Sequence, residues 1–365
     1  MTHWKLTLAY DGTSFRGWQV QPNLPTVQGL LSDAIHRTTG ERVLPQGSGR
    51  TDAGVHALAQ VASFTLAAPI PAANLHRALN RCLPPSVRVL AVEAVPPTFH
   101  ARHSALRKTY EYRIFLLNPV QKTDQPSSPA NQPSSAINQP SSPANQPSSA
   151  INQPSSFWPQ ARISVFQDAT NLDSETCTEN ICPPTLAPYV WPCPWPLDLS
   201  ALNQAAAHVL GAHDFTSFAA ADPDLTHRSQ PTTESGAPSI EPLSHANRGP
   251  RPLCGWGEMG GSAAPEPIRT IHHSQWHISG DLLIYRVTAD GFLHHMVRNL
   301  VGTFVLAGAH RLSPDSIPAL LAARDRARAG PTAPASGLFL VSVDYPAPES
   351  CQDHRSSNSP VTDRI

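Results

Sequence analysis

Between Asp124 and Phe157 the sequence reads DQPSSPA, NQPSSAI, NQPSSPA, NQPSSAI, NQPSSF, one seven-residue unit with alternating endings. A heptad period would suit a coiled coil, but proline and paired serines in every unit forbid a helix. With so few apolar side chains the segment cannot offset its own ordering entropy. It therefore predicts a disordered, extended insert that runs on to about Pro188. A ligand role for its proline-rich units is the alternative reading. A second stretch, from about Ser229 to Pro267, is rich in Pro, Gly, Ser and Glu and has no period. These stretches account for much of an unusual balance, 39 prolines against 20 glycines. The tail after Pro348 is polar and expected to fray. Roughly 240 to 270 residues of patterned sequence remain, enough for one two-lobed catalytic body.

That patterned remainder alternates strands and helices. Leu6, Leu8 and Tyr10 share one face of a first strand that ends at the Asp11-Gly12 turn signal. Val27, Leu30, Leu31, Ala34 and Ile35 are spaced for a helix face, with Thr26 as N-cap. A strand over His56–Leu66, a helix around Pro71–Cys82 and a strand over Val87–Val95 follow. The grammar then repeats. Lys108–Leu117 is a strand with Tyr110, Tyr112, Ile114 and Leu116 on one face, and Leu199–Leu210 is a helix capped by Asp198. Ile268–Ile278 and Leu282–Ala289 are strands, Gly291 opens a long helix, another helix follows Ser313, and Leu338–Tyr345 is a closing strand. The pattern predicts an α+β fold with helices packed on a largely antiparallel sheet. The boundaries expected are residues 1–106 and 107–347, with inserts at about 122–188 and 229–267 and a tail over 348–365.

No apolar run reaches the ~18 residues that would cross a bilayer. Met1 to Trp4 lead straight into the first strand, leaving no room for a signal peptide, so a cytoplasmic protein is expected. The six cysteines show no CxxC pair and no matching histidine spacing, so reduced thiols are expected and no metal site. Net charge is −1, yet residues 1–121 carry twelve Lys and Arg against six Asp and Glu. That basic segment suits a polyanionic partner or simply a solvated basic surface.

One string concentrates the chemistry: GSGRTDAGVHALAQ, residues 47–60. It is not a dinucleotide fingerprint, because Asp52 stands where the third glycine would be, and no Lys-Ser/Thr follows for a phosphate loop. A carboxylate at its centre would also repel a bound phosphate. His56 stands four residues beyond Asp52, but Gly54 and Val55 argue against the helix that would pair them on a metal. Two readings remain: a glycine-rich turn before a strand, or a rigid frame that brings Arg50 and Asp52 close to a ligand. Elsewhere, Phe99–Arg102 with Arg107 and Lys108 form a basic edge. Tyr110 and Tyr112 are either half-buried packing or a base-stacking face. In GFLHHMVRN, residues 291–299, His294, His295, Arg298 and Asn299 lie off the apolar stripe. Adjacent histidines point about 100° apart on a helix, a poor metal pair, whereas Arg298 could reach a carboxylate.

GRTDAGVHALAQVASF, ALNRCLPPSVRV, FHARHSALRKTYEYRI, HDFTSF, GFLHHMVRNLVGTFVLAGAH and GLFLVSVDY resemble, in order, the successive blocks of the tRNA pseudouridine synthase A family. They cover essentially everything outside the two inserts. The resemblance implies two ferredoxin-like lobes joined through one continuous sheet with a central cleft, and a homodimer whose partner is tRNA. It implies isomerisation of uridine to pseudouridine at positions 38–40 of the anticodon stem-loop, with no cofactor and no metal. By motif, Asp52 matches the catalytic aspartate and Arg50 the arginine that fills the space left by a flipped nucleotide. Tyr110 matches the tyrosine that stacks on the target base, Arg298 the basic partner of the aspartate, and Leu338 a leucine lining the pocket. The residue types suit that chemistry. A carboxylate can capture the electron-poor C1′, as in glycoside cleavage, or remove a sugar proton to give a glycal. An aromatic ring holds the detached uracil and could help the loss of its C5 proton. The sequence departs from the family after HDFTSF, where basic residues are usual and Ala219–Asp224 stand instead.

Overall fold

A computed structural model describes residues 1–117, 181–220 and 267–346 of the 365-residue chain. The expectations for the tail, for the 229–267 insert up to 266 and for the repeat itself lie outside these residues. Ten strands form one sheet among the described residues, ordered β4-β1-β3-β10-β5-β9-β8-β7, with β2 beside β3 and β6 beside β5. The strands are β1 (Thr2–Tyr10), β2 (Gln46–Gly47), β3 (His56–Leu66), β4 (Val87–Val95), β5 (Arg107–Leu116), β6 (Trp191–Cys193), β7 (Gly211–Asp214), β8 (Ile268–Ser279), β9 (Leu282–Ala289) and β10 (Leu338–Asp344). Pairing is antiparallel except where β10 meets β3 and β6 meets β5. With five α-helices, this is the expected α+β class.

The helices begin where the chain supplies a stop for extended backbone. Thr26, in extended conformation, accepts from the Gly29 amide and starts α1 (Val27–Thr39), and Gly40 at φ 78° ends it. Pro71 precedes α2 (Ala72–Cys82), and Asp198 caps α3 (Leu199–Ala207) by accepting from the Ser200 amide. The helix expected from Gly291 begins later, as α4 (Met296–Gly308), because His295 takes a left-handed conformation at φ 58°. A 3₁₀ turn at Pro314–Ser316 leads into α5 (Ile317–Ala323). No helix among the described residues is long and apolar enough to cross a membrane.

The alternation read from sequence is a burial pattern. Leu6, Leu8 and Tyr10 of β1, and Tyr110, Tyr112, Ile114 and Leu116 of β5, are all buried. They join one continuous apolar cluster with Leu31 and Ile35 of α1, Leu75 and Leu79 of α2, and Leu300 and Phe304 of α4. Burial of that kind supplies ~25 cal/mol per Å² of apolar surface and is the main force holding helices to the sheet. Residues 187–189, at the end of the expected first insert, form a 3₁₀ turn. The Pro188 carbonyl accepts from His56 Nε2 at 3.1 Å, and the Tyr189 hydroxyl donates to Asp11 at 2.9 Å.

Candidate active site

The segment 48–55 connects β2 to β3, and nearly every polar group beneath it is spoken for. The Ser48 hydroxyl donates to Gln60 Oε1 at 2.6 Å, and Gln60 Nε2 donates to the Gly49 carbonyl at 3.0 Å. The buried Tyr10 hydroxyl pairs with Thr51 Oγ1 at 2.8 Å, and Lys108 Nζ donates to the Ser48 carbonyl at 2.6 Å. Unpaired, such buried groups would each cost about 1–3 kcal/mol, so the network fixes the loop rather than merely decorating it. The close approach that holds the loop from the other side depends on a glycine outside it. Gly17 has φ 92°, and a Cβ there would stand 2.6 Å from the Thr51 carbonyl oxygen, which accepts from the Trp18 amide at 3.0 Å.

Asp52, one-fifth exposed, faces the start of α4. Arg298 Nη1 lies 3.1 Å from Oδ2, while its Nε donates to the Ala333 carbonyl at 2.8 Å, so the guanidinium is oriented from both ends. His295 Nε2 lies 3.3 Å from Oδ2 and His294 Nε2 lies 3.6 Å from Oδ1. The two rings lie 3.9 Å apart at 30°. The structure corrects the helical expectation here. Residues 291–295 are not helical, so the two rings do not diverge by a helical step but meet on one carboxylate. The Ala220 amide donates to the His294 carbonyl at 3.0 Å, tying this turn to the HDFTSF block. Asp52, His294 and His295 each bring a ligand atom within 4.8 Å of the others, a set with the reach to hold a cation. Arg298 already supplies positive charge to the same oxygen.

These groups open on a cleft of about 640 Å³ that is lined by all five residues singled out from sequence, Asp52, Arg50, Tyr110, Arg298 and Leu338. Arg50 is exposed, Tyr110 and Leu338 are buried, and Tyr110 meets Phe292 edge-on at 5.0 Å. Burial pushes the Tyr110 phenol well above the usual tyrosine range, with the Tyr10 and Asp52 charges acting the same way. Arg16, Arg102 and Lys108 also line the cleft, so five Lys and Arg side chains surround the one carboxylate. Burial, helped by the Arg102 and Arg269 charges, pulls the Lys108 ammonium down to about 8. Four of the twelve Lys and Arg of the basic segment, Arg16, Arg50, Arg102 and Lys108, share this concave surface, an arrangement that suits a polyanion.

Sequence reasoning does not reach four participants. Helical geometry sets His294 and His295 apart as a pair, Arg16 lies in no motif, and Gln60 sits in the same string as Asp52 but reads as a strand residue. A polar residue at an inward strand position was the signal available for Gln60, which is fully buried.

An α+β sheet carrying one carboxylate in a cationic cleft is the frame of an enzyme that handles a nucleic-acid backbone. Residues 7–104 and 256–346 match the tRNA pseudouridine synthase family, and the chain belongs to that family. It is similar to tRNA pseudouridine synthase A of Solibacter usitatus, 36% identical over 342 residues, 93% of this chain and 98% of the relative. The protein of the same name from Moorella thermoacetica is 35% identical over 343 residues, 93% of this chain and 98% of the relative.

Proposed function

We propose that this protein isomerises uridine to pseudouridine in tRNA, at positions 38–40 of the anticodon stem-loop, with Asp52 as its catalytic carboxylate. The observation that carries the reading is the single carboxylate held by Arg298 at 3.1 Å in a cleft that five Lys and Arg side chains also line. The target nucleotide must leave its stack, at a cost of a few kcal/mol. Arg50, exposed on the loop that carries Asp52, fills the gap. Asp52 meets the ribose at C1′ or C2′, and breakage of the N1–C1′ bond frees uracil to turn. Tyr110 stacks on the detached base, Leu338 closes the apolar side, and C5 bonds to C1′. Reactant and product are isomers, so the reaction consumes no redox equivalent and no co-substrate. Arg16, Arg102 and Lys108 hold phosphates.

The reading assigns the chain two ferredoxin-like lobes, about 1–106 and 107–347, sharing one sheet across a central cleft. The protein works as a cytoplasmic homodimer whose two subunits touch one tRNA. Asp52→Asn tests the assignment. Release of tritium from tRNA labelled at uracil C5 should cease while folding and tRNA binding persist, and full retained activity would sink it. Mapping pseudouridines in tRNA from a deletion strain reports the positions; pseudouridine intact at 38–40 in that strain would refute them.

A further inference from the structure

The rearrangement leaves a proton in the wrong place. Once C5 is bonded to C1′, C5 is tetrahedral and still carries its hydrogen, while N1 is an imine nitrogen. To finish, the C5–H bond must break and its electron pair form C5=C6. The C6=N1 π pair then moves to N1, which takes up a proton. Since C5 is now bonded to C1′, and C1′ lies at Asp52, the group that takes this proton stands beside Asp52.

We propose that His295 is a further catalytic residue, which takes the C5 proton on its imidazole and delivers a proton to N1. The inference rests on the reaction assigned above. His295 Nε2 lies 3.3 Å from Asp52 Oδ2, and the residue lines the cleft with Tyr110. A carboxylate at that distance selects the tautomer with hydrogen on Nε2, which leaves the Nδ1 lone pair to accept, and it stabilises the imidazolium that forms. The imidazole is not spent on the helix that follows it, for it makes no capping bond to α4. Its left-handed backbone, φ 58°, is a conformation few side-chain-bearing residues take, and it is kept where the ring meets Asp52. Burial holds the imidazole below the usual histidine value, against the pull of Asp52 and with the His294, Arg298 and Arg326 charges, so it enters the step unprotonated. Tyr110 is the poorer acceptor, its buried phenol being harder still to ionise.

The test is single-turnover pseudouridine formation on tRNA carrying protium or deuterium at uracil C5. His295→Gln should slow the reaction by about 10²–10³-fold, in the range of a general base, and deuterium should slow the variant more than the wild type. His295→Gly, which suits the left-handed backbone, should recover activity with added imidazole. A His295→Gln enzyme with an unchanged isotope effect, or a His295→Gly enzyme that imidazole does not restore, would overturn the assignment. A wild-type chain that forms no pseudouridine sinks the reaction itself and this step with it.

Discussion

Gly302, in the second turn of α4, is where the helix packs closest against the segment that aims Arg298. A Cβ at Gly302 would overlap the Pro331 carbonyl oxygen and come within 2.9 Å of its carbon, where ordinary contact needs about 3.5 Å. Both obstacles are backbone, so Gly302→Ala must push the 330–333 segment away. Three of the hydrogen bonds that hold that segment are most directly strained: Gly330 amide to Thr303 Oγ1 at 2.9 Å, Ala333 amide to the Arg298 carbonyl at 3.1 Å, and Arg298 Nε to the Ala333 carbonyl at 2.8 Å. Overpacking costs about 1–3 kcal/mol, and weakening the three bonds adds about 1–2 kcal/mol. Better helix propensity returns about 1 kcal/mol. The net destabilisation expected is about 3 kcal/mol, or ~10 °C in Tm for a core of this size, read by calorimetry. Tritium release should fall further than the unfolded fraction explains, because Arg298 loses one of its two anchors. Gly308→Ala should cost less, since its Cβ meets the movable Leu202 side chain, nearest at 2.7 Å. A Gly302→Ala protein as stable as the wild type would show that the approach is soft and the reasoning wrong.

Two further outcomes follow from charge. His56 accepts from the Gly12 amide at Nδ1 and donates at Nε2 to Pro188, and burial lowers its pKa despite Asp11 Oδ1 at 3.3 Å. The unfolded chain therefore binds the proton more readily, and the stability due to His56 is full above about pH 6.5. It is lost as pH falls from there through the lowered folded value. Urea midpoints at pH 7.5 and 5 should differ more for the wild type than for His56→Gln, and equal differences would refute this. Lys108, drawn down to about 8, loses its charge as pH rises through that value. tRNA affinity should weaken between pH 7 and 9, and Lys108→Met should flatten that trend and reduce the salt slope by about one. An unaltered slope would remove Lys108 from the phosphate contacts.

What the chain disclosed in advance was mostly local. The bounds of β3, β4 and β9 follow from alternation, and the caps at Thr26 and Asp198 from residue type, because each is settled within a few neighbours. The short strands β2, β6 and β7 carry two to four residues and no period long enough to see. The start of α4 is not legible because Leu293 continues the apolar stripe, although it is half-buried in the turn before the helix forms. Asp52, Arg50, Tyr110, Arg298 and Leu338 were all named from motifs, and all line one cleft. Their convergence depends on pairings as distant as Asp52 with Arg298, 246 residues apart, which no local pattern encodes. The histidine pair is obscured instead by the helical geometry its string suggests, which the left-handed His295 breaks.

The place of β10 has a consequence for the order of events in synthesis. It lies between β3 and β5, parallel to the first and antiparallel to the second, with Leu338 opposite Tyr112 and Phe339 opposite His56. No shorter nascent chain can bridge those strands. At roughly 5–20 residues per second, the ribosome spends about 10–45 s between Tyr112 and Leu338. During that interval the edges of β3 and β5 that will receive β10 have not yet met their partner, and such edges invite pairing with other chains. The protein thus gains its cleft and its protection from aggregation in one late event, the docking of a seven-residue strand.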